Sequence, residues 1–575
     1  MLRRILNKAI LALVLLVLAG PVRAERHPAI GLGGIDIPAA LAREAPPAGR
    51  VVPVTGLGVP HHLLAIDLIA RGFMATKGNR YDRILLIGPD HFFKSRRPAA
   101  VTQRGFETAF GPVESDKVAV ARLLESPELF DPSDLFDGEH GTTGLMPFVR
   151  LVHPDVPVVA VALGIGTGRA EWDRIADALK AIVTPQTLIV QSTDYSHYLL
   201  PHLARQHDQQ TLNVLSARDL DALSALKQPA HLDSKAANYI QMRLQAEVFG
   251  AAPAVIANRT AFDYIPVNEP TTSYIVTAYG PDPVALGRLV YGDQQVHFFG
   301  GDVFVGRYFL GLLASPAIRD RILGDLRTVT GRAPLTVNLE GAMLPDVPHG
   351  LPRQRHAMPA GLTLEILKAL NVTSASLANN HSHDLGKLGF NETIKVLKDG
   401  GIKPLKHLEP VDLGPFRLVA LNFIGVGDFK GYPAALAPGP GADDLAGLCR
   451  LTIRAPVIAV VHWGEEYTDA GGKTEQAIAH ELARCGIGAV IGAHSHKASV
   501  RPVLTAGGEQ VMVYSVGNLL FDQFSTTSSG ALVELRVFAR GTFALRMVPV
   551  PNLYERALEL RSGDRAETDN RKSDQ

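Results

Sequence analysis

Carboxylate, amide and imidazole side chains recur in the second half of this 575-residue chain, each time just after a short apolar run. His494 and His496 alternate, so both rings can face one site from an extended loop. This mixture of ligands suits divalent Zn, Mn, Fe or Mg, whereas a lone histidine is more often a surface or core residue. Because so many apolar runs end in such groups, the pattern predicts a metal site. The set comprises Asp302, Asn338, Glu340, Asn379, Asn380, His381, Asp384, His462, His494 and His496.

Histidines and carboxylates also stand at predicted strand or loop edges in the first half of the chain. They lie in four blocks, at 60–62, 88–91, 139–140 and 192–198. Two interpretations stay open at this point. The side chains form a metal or ligand pocket, or the histidines only hydrogen-bond neighbouring loops.

Short apolar runs that alternate with helical patterns must position these groups. In the first half, the runs at 84–87, 158–163 and 188–190 have the character of buried strands, and 173–182 has helical periodicity. The second half repeats the alternation. Its apolar runs lie at 296–299, 335–337, 374–377, 457–461, 489–491 and 511–514. The alternation predicts α/β sheets, whose functional residues lie at the carboxyl ends of the strands.

The chain is longer than one hydrophobic core normally supports, which is about 250–300 residues, so two α/β domains are predicted. The junction is placed where Pro281-Asp282-Pro283 interrupts the pattern. The predicted division is a signal peptide at 1–24, a first domain at 25–280, a linker at 281–295, a second domain at 296–555 and a disordered tail at 556–575.

The N-terminus has the features of a secretory signal. Arg3, Arg4 and Lys8 precede an apolar run at 9–19, and the small residue Ala24 offers a cleavage point. The alternative is a retained membrane anchor, but the run is shorter than the roughly 20 residues that span a bilayer. We therefore expect export to the periplasm or the cell envelope.

Composition excludes some partners and some kinds of site. The chain has 57 Lys plus Arg against 57 Asp plus Glu, so it lacks the basic surplus that nucleic-acid binding requires. Cys449 and Cys485 are too few for a thiolate zinc site. They are interpreted as small buried residues, with a disulfide as the alternative.

Six blocks in the second half resemble the CapA family, which is named for poly-γ-glutamate capsule synthesis. They occur in family order over about residues 296–550. The blocks are GDVF at 301–304, VNLEG at 337–341, ANNHSHDLG at 378–386, HWGEEY at 462–467, GAHSH at 492–496 and YSVGN at 514–518. The family is related to calcineurin-like metallophosphoesterases. The resemblance therefore implies a layered α/β/β/α sandwich with metal ligands on loops at one edge.

The resemblance also implies roles for single residues. Asp302 and Glu340 would be carboxylate ligands, with Glu340 placed to bridge two ions, and Asn380 would bind through its amide oxygen. The imidazole ligands would be His462, His494 and His496. His381, with Asp384 in the same block, would be catalytic, as the general acid or electrostatic partner of the reacting group.

Phe304 departs from the broader superfamily, which usually has a histidine two residues after the first aspartate. One metal position therefore loses a ligand. This places a two-metal clamp, and with it plain phosphoesterase activity, in doubt.

The blocks in the first half resemble the Memo-like family, which includes protein B of the AmmeMemoRadiSam system, over about residues 28–280. The resemblance implies a fold similar to the LigB-type extradiol dioxygenases, which hold non-haem iron. By position, His61 and His91 would be metal ligands, and Asp194 and His197 would line the same pocket.

The first half departs from that family at one site element. Where the family often has Cys-Gly before a helix, this chain has Asp233-Ser234, so Asp233 would supply a carboxylate. Two histidines and one carboxylate suit Fe(II). The radical-SAM partner that the family name implies belongs in a reducing compartment, so an exported chain is not expected to contact one.

Two functions compete. The first is a metal-dependent hydrolase or transferase of the cell envelope, acting on a capsule polymer, a phosphoester or a γ-glutamyl substrate, with capsule-export machinery as a partner. The second is a non-catalytic envelope protein that holds polymer or metal during assembly. The missing ligand at Phe304 favours the second, and the remaining ligand set favours the first.

Overall fold

The computed structural model describes residues 25–46, 51–267, 269–424, 448–450 and 456–562. The predicted signal peptide lies outside these residues. Within the described part of the chain, no helix combines the length and apolar character needed to cross a membrane.

The first domain is built on one mixed sheet. Among the described residues it has nine strands, and its central strands run parallel. From one edge to the other they are Ala252–Thr260, Thr271–Gly280, Gly56–Val59, Thr187–Ser192, Arg83–Asp90, Val158–Gly164, Ala99–Val101 and Phe130–Pro132, and Tyr195–Leu199 pairs with Thr271–Gly280. A small parallel pair, Arg26–His27 with Gly105–Phe106, lies apart from this sheet.

Helices cover both faces of this sheet. Leu85 and Ile87 pack into one apolar cluster, whereas Ile84 and Leu86 pack into the other, because successive side chains of a strand point to opposite faces. All four residues are fully buried, which explains the continuous apolar run. The longer helices are Ile37–Arg43, Ile66–Ala75, Lys117–Leu123, Met146–Val152, Arg169–Lys180, Pro201–Ala217, Leu220–Ala225 and Lys235–Phe249.

The second domain contains two sheets. The first, in order, consists of Lys403–Leu405, Val372–Ser376, Leu335–Leu339, Gln294–Val303, Gly530–Phe538 and Phe543–Val550, with Asn518–Leu520 paired to Gln294–Val303. The second consists of Val411–Asp412, Arg417–Asn422, Val457–His462, Ile487–Ala493, Gln510–Val513 and Val503–Thr505. A short parallel pair, Ala342–Leu344 with Ala357–Pro359, lies beside them.

The two sheets pack face to face. One apolar cluster joins Phe299 and Leu535 of the first sheet to Ile458 and Val513 of the second. Further clusters on the outer faces are covered by helices, so the order of layers is α/β/β/α. The helices are Arg307–Leu313, Pro316–Thr330, Ala360–Ala369, Gly386–Asp399, Lys473–Arg484 and 553–562. The predicted two-domain α/β fold class is confirmed.

The predicted linker at 281–295 is a packed segment. Pro283–Leu286 is helical, and Leu286 and Leu289 are buried in a core cluster of the first domain. Asp293 forms ion pairs with Arg71 and Arg259. The connection is therefore held by apolar and ionic contacts and is not an exposed spacer.

Part of the predicted tail is ordered. Residues 553–562 form a helix, and its Ala557 is fully buried in the same core cluster as Leu553. The expectation of disorder from 556 is wrong as far as 562, because the apolar side chains of this stretch fall on one helix face. Residues 563–575 lie outside the described part of the chain.

The two domains share an interface. Gln209 hydrogen-bonds both the N–H and the carbonyl of Phe543, each at 2.9 Å, and Thr542 donates to the Asn258 side chain at 2.6 Å. Phe538 and Ala544 pack into a core cluster of the first domain. The interface therefore combines apolar burial with hydrogen bonds made by side chains.

The cysteines differ from the prediction. Cys449 and Cys485 form a disulfide, and Cys449 is exposed, whereas Cys485 is buried at the end of helix Lys473–Arg484. Cys485 is buried as expected and Cys449 is not, and the disulfide given as the alternative is the one observed, since the fold brings the two thiols together across 36 residues.

Candidate metal centres

The predicted ligands of the second domain lie at the carboxyl ends of parallel strands. Asp302 is near the end of Gln294–Val303, and Glu340 follows Leu335–Leu339. His462 ends Val457–His462, and His494 follows Ile487–Ala493. Because both sheets present this end to the same edge of the sandwich, residues far apart in sequence meet there.

Glu340 lies at the centre of this cluster. Its ligand atom is within 4.8 Å of those of His462 and His494 in one group, and of those of Asp302 and His496 in a second. The structure thus brings four predicted ligands together around the Glu340 carboxylate, which also forms a third group with His356 and His381.

The predicted amide ligand, Asn380, contacts His462 of the first group. Its Oδ1 is 2.8 Å from His462 Nε2. The other ring nitrogen of His462, Nδ1, is 3.2 Å from Asn338 Nδ2. Asn338 also donates to Asp302 Oδ1 at 2.7 Å. Asn338 Nδ2 therefore contacts one residue of each group.

The side chain of Asn379, which belongs to the predicted polar set, hydrogen-bonds the backbone of two loops. Its Nδ2 donates to the Leu339 carbonyl at 2.9 Å, and its Oδ1 accepts from the His381 N–H at 3.1 Å. It connects the loop of Glu340 to the loop of His381.

His494 and His496 are presented by an unusual backbone. Both have positive φ, 95° and 58°, a region that non-glycine residues rarely occupy. His496 Nδ1 donates to Asn518 Oδ1 at 2.8 Å and lies 3.2 Å from Asp302 Oδ2. Such local strain is typical of functional sites.

Burial and charge strongly perturb these groups. Burial, together with the Asp302 charge, raises the pKa of Glu340 to about 7. Burial lowers the pKa of His494 to about 4, and it lowers that of His462 well below the ordinary range. For His496 burial acts in the same direction, but the Asp302 carboxylate outweighs it and raises the pKa to about 9.

The residues fit a divalent cation. Three buried atoms, Asp302 Oδ2, Glu340 Oε2 and His494 Nδ1, have no hydrogen-bond partner. Unsatisfied buried carboxylate oxygens are costly, and two of them beside His462 and His494, whose lowered pKa values keep both imidazoles neutral, form a donor set that a cation would complete. Zn, Mn, Fe and Mg all remain compatible with this set.

His381 lies at the rim of the cluster. Its Nδ1 is 2.7 Å from Asp384 Oδ2, and its Nε2 is 3.9 Å from Glu340 Oε1. Burial alone would lower its pKa, but Asp384 and Glu340 raise it. The ring can therefore carry a proton next to the predicted metal ligands.

Sequence reasoning missed His356. It is buried, and its ring stacks between those of Phe304 and His381. It follows no apolar run at a sheet edge, so the strand-end pattern gave no signal for it.

The first domain contains a second cluster. His61 Nε2 lies 3.2 Å from Asp233 Oδ2 and 3.5 Å from Asp194 Oδ2. His91 Nε2 lies 3.6 Å from Asp233 Oδ2. The predicted carboxylate of Asp233 lies next to Ser234, the N-cap of helix Lys235–Phe249, and faces both predicted histidines.

The Nδ1 atoms of these histidines, which face away from Asp233, are held by hydrogen bonds. His61 Nδ1 is 3.0 Å from Ser192 Oγ, and His91 Nδ1 is 2.7 Å from Glu139 Oε1. Both Nε2 atoms are thereby directed at Asp233. Its carboxyl pKa is lowered because the attraction of His61 and His91 exceeds the opposing effect of burial.

Two further histidines border this cluster. His140, not predicted as a ligand, forms a group with His61 and His91 whose ligand atoms lie within 4.8 Å. The predicted pocket residue His197 belongs to neither group of this domain, and its Nδ1 is buried without a partner. Asp233 Oδ1 is also buried without a partner, so this donor set fits a cation as well.

Two protein families match this chain, and each matches the part that carries one of the two clusters. Residues 54–261 match the family described as Memo-like protein. Residues 296–405 and 450–523 match the family described as bacterial capsule synthesis protein PGA_cap. The chain joins a Memo-like domain to a PGA_cap domain. Both predicted resemblances are confirmed.

Individual relatives match one domain each. A capsule biosynthesis protein CapA of Bacillus anthracis is 28% identical over 217 residues, which cover 34% of this chain and 51% of the relative. A probable polyglutamine synthesis accessory protein of Mycobacterium tuberculosis is 26% identical, covering 40% of this chain and 75% of the relative. A MEMO1 family protein of Methanopyrus kandleri is 24% identical, covering 24% and 50%. The chain thus spans about half the length of the Bacillus and Methanopyrus relatives.

Proposed function

We propose that the PGA_cap domain is a metal-dependent hydrolase or transferase that acts on an anionic polymer of the cell envelope, of the poly-γ-glutamate type. The observation that carries the proposal is Glu340, whose carboxylate is shared by two groups of ligands next to His381. The printed names of the CapA and polyglutamine-synthesis relatives support the substrate class.

The residues divide the work in the following way. Asp302, Glu340 and His496 would hold one divalent cation, and Glu340, Asn380, His462 and His494 a second. Such a cation supplies Lewis-acid polarisation of a phosphoryl or acyl oxygen. Asp384 accepts the Nδ1–H of His381, so Nε2 faces the cluster and can donate a proton to the leaving group.

A non-catalytic assembly role is the second candidate. It is favoured by Phe304, which is 1% exposed and packs against Phe521 and His356, leaving no ligand at that position. Under this role the same cluster would hold metal or polymer without turnover, as a component of capsule export.

A paired substrate screen decides between them. We expect the purified chain to hydrolyse bis(p-nitrophenyl) phosphate or γ-glutamyl-p-nitroanilide in the presence of Zn, Mn, Fe or Mg, and chelation to abolish this. His494→Ala should lower the rate by about 100-fold or more, because it removes a ligand that polarises the substrate through the cation. The matched control is His480→Ala, an exposed histidine on helix Lys473–Arg484. Metal-loaded protein without turnover of either probe would favour the assembly role.

Export is a separate proposal that rests on the N-terminal sequence. We expect the mature chain to begin at Glu25 and to be recovered from the periplasm or envelope, because Ala24 ends the signal pattern. N-terminal sequencing of the fractionated protein tests this. Recovery of intact Met1 from the cytosol would refute it.

A further inference from the structure

Three aromatic rings form a stack that ends at His381. The ring centroids of Phe304 and His356 are 4.3 Å apart with 20° between the planes, and those of His356 and His381 are 3.8 Å apart with 19°. The first two rings are buried, and the third lies at the rim of the candidate metal site. Phe304 therefore forms the base of a stack that leads to His381.

Histidine is a common metal ligand, but the ring of His356 is not oriented to bind a cation at this site. One of its nitrogens lies within 4.8 Å of ligand atoms of Glu340 and His381. An imidazole binds a cation in the plane of its ring, and two nearly parallel stacked rings cannot both direct in-plane lone pairs at one cation. Its nitrogens are also engaged: Nδ1 is 3.2 Å from the Glu340 carbonyl, and Nε2 accepts from Arg307 Nη1 at 3.3 Å.

One carboxylate oxygen ties the stack together. Asp384 Oδ2 accepts from the His356 backbone N–H at 2.7 Å and from His381 Nδ1 at 2.7 Å. The backbone of His356 and the ring of His381 are thus held by the same carboxylate oxygen.

The far side of the stack is also fixed. The Arg307 guanidinium lies 4.8 Å from the Phe304 centroid and is ion-paired with the buried Asp522 carboxylate. Gly341 has φ 146°, and a Cβ at this position would lie 2.8 Å from His356 Cβ, so the close approach requires glycine.

We propose that Phe304 and His356 are positioning residues, which fix the plane of the His381 imidazole so that its Nε2 faces Glu340. The catalytic consequence rests on the proposed function, whereas the orientation of the ring does not. The stack supplies the proton donor with the orientation that a reacting group requires.

The orientation is tested by NMR of the metal-free full-length chain with labelled histidine rings. His356→Ala should move the ring-proton signals of His381 downfield, because the ring current of its stacked neighbour is lost. His356→Phe should leave them close to wild type, since it keeps a ring but no ring nitrogens. Phe304→Leu should give a smaller shift in the same sense. Unchanged His381 signals in His356→Ala, with the melting temperature preserved, would overturn the proposal.

The consequence for catalysis is tested with the same variants. His356→Ala should lower kcat by about 10- to 100-fold with little change in KM, and His356→Phe should restore most of it, because a displaced proton donor affects the transition state more than substrate binding. Metal per chain should be the same in all variants. Metal loss in both His356 variants would make this residue a ligand and refute the positioning role. If the wild type turns over neither probe, the proposed function fails, and the NMR result alone decides the orientation.

Discussion

Replacing Glu340 with glutamine is expected to abolish metal binding in the second domain while the metal-free chain stays folded. The carboxylate belongs to both ligand groups, so its loss removes an anionic donor from each. In the wild type, a cation at about 100 times its Kd stabilises the folded state by about 2.7 kcal/mol. Glu340→Gln should show no such increase.

Without metal, the comparison of stability between the wild type and Glu340→Gln should favour the variant. The pKa of Glu340 is raised to about 7 by burial and by Asp302, so the folded state holds this proton more tightly than the unfolded state does. Its contribution to stability is therefore present at low pH and is lost as the pH rises through about 7. Glutamine removes the buried charge, and metal-free Glu340→Gln should be at least as stable as the wild type at pH 8.

Urea denaturation at pH 8 with and without metal, together with metal analysis, measures both effects. The matched control is Glu365→Gln, an exposed carboxylate on helix Ala360–Ala369 that should change neither quantity. Retention of wild-type metal content by Glu340→Gln would show that the carboxylate is not a shared ligand.

Asp233→Asn is expected to empty the first domain of metal without changing the metal content of the second. Asp233 is the carboxylate that faces both His61 and His91, and an amide has no negative charge to offer a cation. Metal per chain should therefore fall by the share of the first domain alone.

This variant should also be destabilised without metal, in contrast to Glu340→Gln. Although burial opposes it, Asp194 and Asp233 together raise the pKa of His61. Asp233→Asn thus leaves a buried imidazolium with one counter-charge fewer, and breaking a buried pair costs about 3–5 kcal/mol.

Metal analysis of the full chain and urea denaturation in chelator test this prediction. Asp221→Asn is the control, because that carboxylate is 80% exposed. Loss of metal from the second domain as well would show that the two clusters are not independent. Unchanged metal content and unchanged stability would mean that Asp233 is not a ligand.

The sequence predicted those features that depend on local pattern. Apolar runs such as 84–87 and 457–461 have the length and composition of buried strands, and both are strands. The groups that follow the runs then share one edge, because parallel strands end on the same side of a sheet. This is why the candidate residues could be named from the ends of the apolar runs, whereas their individual roles came from the resemblance to the CapA family and their geometry from neither.

Tertiary structure decided which distant groups meet. The sharing of Glu340 between two ligand groups, the placement of His140 beside His91 and the stacking of His356 on His381 depend on how separate loops approach one another. The pairing of Cys449 with Cys485 and the burial of Leu286 and Ala557 depend on the packing of segments whose local composition resembles linker or tail. Periodicity reports only which way a side chain points from its own element. Its neighbour is set by the free energy of packing the whole chain, which no local window contains.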